Sequence, residues 1–427
     1  MISSDSLTKI FGAHMLSGMH PHDGPLTRLR RSHEQSVLEL LRKYGPLSRA
    51  ELGTRSGLSR TTLYDIVAGL VTSGAVVVGT PYVEARKRGR PVEKLSLNPA
   101  AGEAVGIDFA RRAVHVAAVN LAHEVVGSAG EGHAADLSWP ERVDIAVRLL
   151  DSLTTGARGE SGAGGSGRAQ AVHLGALRAI GVGVVGPTTD PGSESAHAQG
   201  IDGLPDLLRK RFGVPVLLDN NTRLAALAEA VWGAAADSSD VLYLRLSHGV
   251  GGGLVVGGAL HRGRHGLSGE FGHITVDPAG ERCECGKAGC LETLASLDAV
   301  LRRYRAAGGG ADSPAQFLDA ATAGDPPALE VLARVGSEVG GVLAAICHAV
   351  GPGVIVVGGE LAQAGDALLE PVERALRQHL MPLARHHVDV RRATLGEAGS
   401  ALGGIALVLH ETPLLTHYPQ PVSEENA

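Results

Sequence analysis

Three of the four cysteines in this 427-residue chain fall within eight residues. Cys283-x-Cys285 is followed, after four intervening residues, by Cys290, and His273 stands nine intervening residues upstream of Cys283. One imidazole and three thiolates are the soft donors of a closed tetrahedral zinc site, with no position left open for a reacting water. Isolated cysteines sit in apolar surroundings as small hydrophobes, whereas CECGKAGCLE is polar and glycine-rich, as a loop wrapped around a metal requires. The spacing predicts one structural Zn2+ per chain on His273, Cys283, Cys285 and Cys290, and excludes a disulfide framework.

A second chemistry lies near the N-terminus, where charge is concentrated. The chain carries a net −6, but Pro25 to Pro99 holds 13 Lys/Arg against 6 Asp/Glu, residues 1–24 contribute −1, and the remainder carries −12. A basic module on an acidic body selects a polyanion for the first part only. Within that module, Glu34 to Tyr44 places Val37, Leu38, Leu41 and Tyr44 on one helical face, and Gly45-Pro46 ends it. Ser48 caps a second helix that stops at Gly57; Ser59 caps a third with Leu63, Ile66, Val67 and Leu70 inward. Two short helices on a tight glycine turn make a helix-turn-helix. The β-branched run Ala75 to Tyr82, a polar tip at 84–91 and a return strand from Val92 to Leu97 complete a winged version.

The start of the third helix presents Ser59, Arg60, Thr61, Thr62 and Tyr64 to the major groove of double-stranded DNA. The wing tip RKRGRP offers Arg86, Lys87, Arg88 and Arg90 to a narrow, electronegative minor groove. One such module has a small interface, so a homodimer or higher homo-oligomer on repeated half-sites is expected. Aromatic residues make up only 3% of the chain, which argues against stacking platforms for single strands.

Beyond Asn98-Pro99 strands and helices alternate: 105–109, 113–119, a helix near 143–153 and a strand near 179–185, the pattern of an α/β fold. Thr155 to Gln170 is Gly/Ser-rich and reads as a flexible insertion at 155–170. The most apolar window, Val339 to Gly359, is broken by His348, Pro352 and glycines; it reads as a buried helix and strand, not a membrane span. No basic start followed by an apolar run opens the chain, so a cytoplasmic location is expected. The organisation expected is a flexible tail at 1–32, a winged helix-turn-helix at 33–99, an α/β body at 100–412 and a C-terminal tail at 413–427.

The body resembles the ROK family of repressors and sugar kinases. GLSGEFGH (266–273) and CECGKAGCLE resemble the family signature around sugar and zinc; GVGVVGP (181–187), DNNTRLAALAE (219–229), LSHGVGGGL (246–254) and VIVVGGE (354–360) follow in the family's order. The resemblance implies a two-lobed, actin-like ATPase body of ribonuclease-H-like lobes, and a sugar site on Asn220, Asn221, Glu270, His273 and Glu292. A winged domain in front is what the family's repressors add and its plain kinases lack.

Departures from the kinase pattern set the expected function. Kinases of the family carry Asp directly after the Asn of the Asn220 motif, as general base; here Asn221 cannot accept that proton. Their first phosphate loop reads Asp-x-Gly-Gly-Thr, whereas this chain has Asp108-Phe109-Ala110-Arg111-Arg112, and the Gly-Thr-Gly of the second becomes Ser247-His248-Gly249, with glycines kept at 251–253. The expectation is a DNA-binding repressor whose body senses a sugar or sugar derivative without catalysis, so no catalytic residue is assigned. The competing readings are an active ATP-dependent sugar kinase that also binds DNA, and a DNA-binding adaptor with a ligand-free body.

Overall fold

The structure, a computed structural model, describes residues 30, 33–34, 36–38, 40–41, 44–72, 75–79, 93–97, 103–120, 125–134, 136–155, 177–188, 201 and 203–411. The wing tip with Arg86, Lys87, Arg88 and Arg90 lies outside them, as do the C-terminal tail, the N-terminal tail apart from Arg30 and the insertion apart from Thr155. Two compact units are distinguished, one holding the helix-turn-helix and one made of Ala104–Ala118 with Val125–Val408.

In the first unit, helical residues between 33 and 44 precede α1 (Arg49–Ser56) and α2 (Arg60–Thr72). α1 starts as a reciprocal capping box. The Ser48 hydroxyl accepts from Glu51 N–H while the Glu51 carboxylate accepts from Ser48 N–H at 2.7 Å, so two otherwise orphaned donors are satisfied. Gly57, at φ 66°, ends the helix in the left-handed conformation open to glycine. Leu63, Ile66, Val67 and Leu70 of α2 are buried with Val37, Leu38, Leu41 and Leu52, as the helical period requires. Tyr44 differs from the expectation: it is exposed, and the Arg55 guanidinium lies 4.1 Å from its ring centroid. The strands β1 (Val76–Gly79) and β2 (Lys94–Leu97) pair antiparallel, Val76 opposite Leu97.

The second unit contains two five-stranded sheets of one topology. The first is ordered β5-β4-β3-β6-β7, from β3 (Glu103–Phe109), β4 (Ala113–Asn120), β5 (Val125–Gly132), β6 (Leu177–Val184) and β7 (Val216–Asn220). The second is ordered β10-β9-β8-β11-β12, from β8 (Val241–Leu246), β9 (Val250–Val256), β10 (Ala259–His261), β11 (Val354–Gly358) and β12 (Asp389–Arg392). Each sheet therefore places its first strand centrally, its second and third to one side and its fourth and fifth to the other. In the first lobe, α3 (Trp139–Thr155), α4 (Leu204–Phe212) and α5 (Asn221–Val231) follow the third, fourth and fifth strands. In the second lobe, α6 (Leu291–Ala295), α7 (Leu297–Ala306), α8 (Pro314–Thr322) and α9 (Pro326–Val350) precede β11. Then α10 (Asp366–His379) precedes β12 and α11 (Gly399–Glu411) follows it. This repeated α/β unit is the two-lobed, actin-like ATPase arrangement expected.

Why VLYLRL, apolar but for Arg245, and VIVVG carry so little polar alternation is explained by burial on both faces. Leu242, Leu244, Leu246, Ile355 and Val357 enter a core with α9, while the alternate residues Val241, Tyr243, Val354 and Val356 enter a separate core with α5 and α11. The window at 339–359 resolves into the end of α9 and all of β11, as expected.

α11 touches the first sheet through backbone. A Cβ at Gly106 of β3 would lie 1.7 Å from the Ala401 carbonyl oxygen, and one at Gly403 would lie 1.9 Å from the Leu224 carbonyl oxygen. Replacing Gly403 by Ala is expected to lower the melting temperature by several degrees, since overpacking a site walled by backbone costs about 1–3 kcal/mol or more. A calorimetric scan of the variant checks this.

Candidate functional site

The metal loop is built by short backbone hydrogen bonds and two glycines. Cys283 N–H donates to the Lys287 carbonyl at 2.8 Å, Gly286 N–H returns to the Cys283 carbonyl at 2.9 Å, and Val276 N–H reaches the Gly289 carbonyl at 2.7 Å. Gly289 has φ 65°, and a Cβ there would fall 1.4 Å from the Asp277 carbonyl oxygen, so no other residue fits. The Lys287 ammonium donates to the His273 carbonyl at 2.6 Å.

These bonds bring His273, Cys283, Cys285 and Cys290 together, with all four ligand atoms within 4.8 Å of one another. Cys285 and Cys290 Sγ are 3.6 Å apart, and so are Cys283 Sγ and His273 Nδ1. Zn–S and Zn–N bonds of ~2.3 and ~2.0 Å give tetrahedral edges of roughly 3.5–3.8 Å, so the spacings suit that ion. Burial pushes the Cys290 thiol up to about 12, and its thiolate form needs a cation beside it. The cluster is thus able to hold one metal ion.

Glu270 and Glu292 flank this loop. Glu270 precedes the short 3-10 turn Phe271–His273. Burial holds its carboxyl above the usual carboxylate range, with His273 and Arg223 acting in the opposite sense and Glu292 in the same sense. Glu292, in the first turn of α6, accepts from Val250 N–H at 2.9 Å and so ties the metal loop to the β8–β9 turn. A Cβ on Gly249 of that turn would stand 3.1 Å from the Glu292 carboxylate.

Asn220 and Asn221 share the β7–α5 junction but face different partners. The Asn220 amide oxygen caps α5, accepting from Thr222 N–H at 2.9 Å and Arg223 N–H at 3.1 Å, and its amide nitrogen donates to the Gly186 carbonyl at 2.8 Å. Asn221 is buried and hydrogen-bonds Asp108. Burial raises the Asp108 pKa, and its Oδ1 is buried without a partner. Among the described residues no hydrogen bond joins Asn221 to Glu270, His273 or Glu292. Glycines 251–253, read from the sequence as remnants of a phosphate loop, lie inside β9 and serve packing. A Cβ on Gly252 would meet Phe271 at 2.5 Å, and one on Gly253 would meet Ala226 at 2.7 Å.

Sequence reasoning missed Arg223. Its side chain, 1% exposed, pairs with the equally buried Asp219 at 2.7 Å and donates to the Gly266 carbonyl at 2.5 Å and to the Thr188 hydroxyl. Arg262 pairs with the other oxygen of Asp219. Nothing in DNNTRLAALAE marks this arginine as buried, because its partners at 188 and 266 are remote in sequence. Arg111, just after β3, lies 3.9 Å from Glu284 of the metal loop.

In the helix-turn-helix, the predicted DNA-facing residues divide. The Ser59 hydroxyl accepts from Thr62 N–H at 3.2 Å and lies 2.8 Å from the Thr62 hydroxyl, so both side chains serve the start of α2. Arg60, Thr61 and Tyr64 are exposed.

The family model "ROK family" matches residues 168–411. The chain belongs to the ROK family. The DNA-binding transcriptional dual regulator NagC of Escherichia coli (strain K12) is 29% identical over 413 residues, covering 92% of this chain and 96% of NagC. A glucokinase of Halalkalibacterium halodurans is 35% identical over 220 residues, covering 48% of this chain and 67% of the kinase. A crystal structure of a ROK family transcriptional regulator, a homologue of E. coli Mlc, superposes with TM-score 0.72 and 26% identity over 91% of this chain and 98% of its own. The actin-like body is thus that of this ROK protein. No helix among the described residues is long and apolar enough to cross a membrane.

Two outcomes are expected. Metal analysis of purified protein should return about one zinc per chain, and Cys290→Ser should lose it together with thermal stability. Arg223→Ala should destabilise the fold by roughly 3–5 kcal/mol, because it leaves the buried Asp219 with only one cation; denaturant titration measures it.

Proposed function

We propose that this ROK protein is a sequence-specific DNA-binding transcriptional repressor whose body senses a sugar or sugar derivative and does not transfer phosphate. The observation that carries this reading is the extent of the relatives. The regulators align over nine-tenths of the chain, helix-turn-helix included, whereas the glucokinase aligns over less than half of it.

The sugar site is assigned to Asn220, Asn221, Glu270, His273 and Glu292. Carboxylates beside a metal-braced loop, with the amides of Asn220 and Asn221 at the β7–α5 junction, are the donor and acceptor types that the paired hydroxyls of a sugar use. His273 would be held by zinc, together with Cys283, Cys285 and Cys290, so that its ring orientation is set by the metal. The metal's contribution is structural.

Loss of phosphoryl transfer is supported by the surroundings of Asn221. An amide there cannot take the proton of a sugar hydroxyl. Its partner Asp108 is a buried carboxyl to which the Asn221 amide can donate and an ionised Asp at 221 could not. Arg111 and Arg112 occupy positions where close backbone approach to phosphate needs glycine and threonine.

Regulation follows as a population shift. Sugar favours a closed cleft, the closed form favours an arrangement of the DNA-binding modules in a homo-oligomer that the operator does not match, and the DNA is released. Linkage then requires the operator to weaken sugar binding by the same factor.

The alternative of an active sugar kinase draws on the glucokinase match. Incubation with ATP, magnesium and a panel of aldoses and amino sugars separates the two. The expected outcome is no ADP release by the natural chain or by Asn221→Asp, with one sugar raising the melting temperature. Binding at a hundredfold excess over Kd adds about 2.7 kcal/mol. Turnover abolished by Glu292→Ala would establish the kinase instead, and no stabilisation by any sugar would favour a ligand-free adaptor.

A further inference from the structure

The exposed face of α2 carries one residue that a simple phosphate-binding surface would not keep. At 100° per residue, Arg60, Tyr64, Ala68, Thr61 and Asp65 span one arc, and Leu63, Ile66, Val67 and Leu70 occupy the opposite side. The structure follows this division: the first five are exposed and the last four are in the core. Ser59, which precedes the helix, and Thr62, at the edge of the arc, are engaged with each other and with the helix start.

Tyr64 organises the face. Its ring is 48% exposed, the Arg60 guanidinium carbon lies 5.9 Å from its centroid and that of Arg49 5.4 Å away. Both distances are within cation–π range. Arg49 is also tied to Glu93 beside β2 by an ion pair of 2.9 Å, so the ring is held from the side of the first helix and the strands. Arg60 is exposed and makes no hydrogen bond or ion pair among the described residues. Pre-organisation of this kind lowers the entropy lost when the fork engages a base.

Asp65 is exposed and makes no hydrogen bond or ion pair among the described residues. A carboxylate facing DNA is repelled by phosphates, so it lowers binding to every sequence alike unless a base donor meets it. In the major groove the donor that suits an acceptor-only side chain is the cytosine N4 amine, as guanine N7 and O6 suit an arginine fork. Arg60 and Asp65 are five residues apart, ~7.5 Å along the helix, which is about two base-pair steps of ~3.4 Å.

We propose that Arg60, steadied by the Tyr64 ring, and Asp65 are the pair that sets sequence specificity, reading a guanine and a cytosine within about two base-pair steps of each half-site. Ser59 and Thr62 fix the helix start and the phosphates without selecting bases. The inference rests on the DNA-binding reading above, and the experiment separates the two.

Full-length protein is used to select from a pool of randomised duplexes at fixed salt, and bound sequences are compared for the natural chain, Arg60→Ala, Asp65→Ala, Asp65→Asn and Thr62→Ala. The natural chain is expected to enrich a motif with both a guanine and a cytosine in each half-site. Arg60→Ala should lose the guanine preference alone and Asp65→Ala the cytosine preference alone. Each loss should lower discrimination at that position roughly fivefold to a hundredfold. Asp65→Asn should shift the cytosine position toward adenine, which an amide reads, and Thr62→Ala should leave the motif unchanged. A motif unaltered by Asp65→Ala with uniformly tighter binding would overturn the proposal, since the carboxylate would then only repel. Failure of the natural chain to enrich any duplex would overturn the DNA-binding reading itself.

Discussion

Much of the body is organised around one buried carboxylate. Asp219, at the end of β7, is 1% exposed and meets two guanidinium groups, Arg223 in the first turn of α5 and Arg262 after β10. A lone ionised carboxylate at that depth would be strongly unfavourable. Two cations stabilise it but leave a net positive charge, and Arg223 spends its remaining donors on the Thr188 hydroxyl and the Gly266 and Ser268 carbonyls. Segments from both lobes are joined by this network, including the loop that leads into Glu270 and His273. Asp219 also accepts from the Asn220 N–H at 2.7 Å, so this charge pair reaches one of the candidate sugar ligands directly.

The metal loop adds a second, local restraint. Four ligands within one short segment close a loop that has little apolar core of its own, and Glu292 carries its position across to the Val250 amide. Close packing completes the frame. Glycines in β9 let α5 and Phe271 approach, glycines in α11 let it lie against α5 and β6 backbone, and Gly106 of β3 admits the Ala401 carbonyl. At Gly252 and Gly253, which resemble relics of phosphate binding, a Cβ would have no room.

Much of this was legible in the sequence. The second and third helices of the small unit were read with their caps, because Ser48, Gly57 and Ser59 act on backbone groups a few residues away. The metal ligands were legible for the same reason: four soft donors in eighteen residues need little from the rest of the chain. Tyr44 was misplaced because the helical period puts it at the edge of the apolar face, where stacking on Arg55 competes with burial. Asn220 was named for its amide, but its role as the α5 cap appears only once β7 and α5 are in place.

By itself, then, the amino-acid sequence determined the local features: helix ends, the apolar runs of strands buried on both faces, the charge division between module and body, and the metal ligand set. Each depends on interactions within a turn or a loop, or on composition. Tertiary structure alone decided that Arg223 is a buried strut, that Asn221 faces Asp108 and that the β9 glycines are packing residues. The meaning of those side chains is set by partners brought near by the topology, because the charge, desolvation and steric terms that define them act over ångströms of space, whatever the separation along the chain.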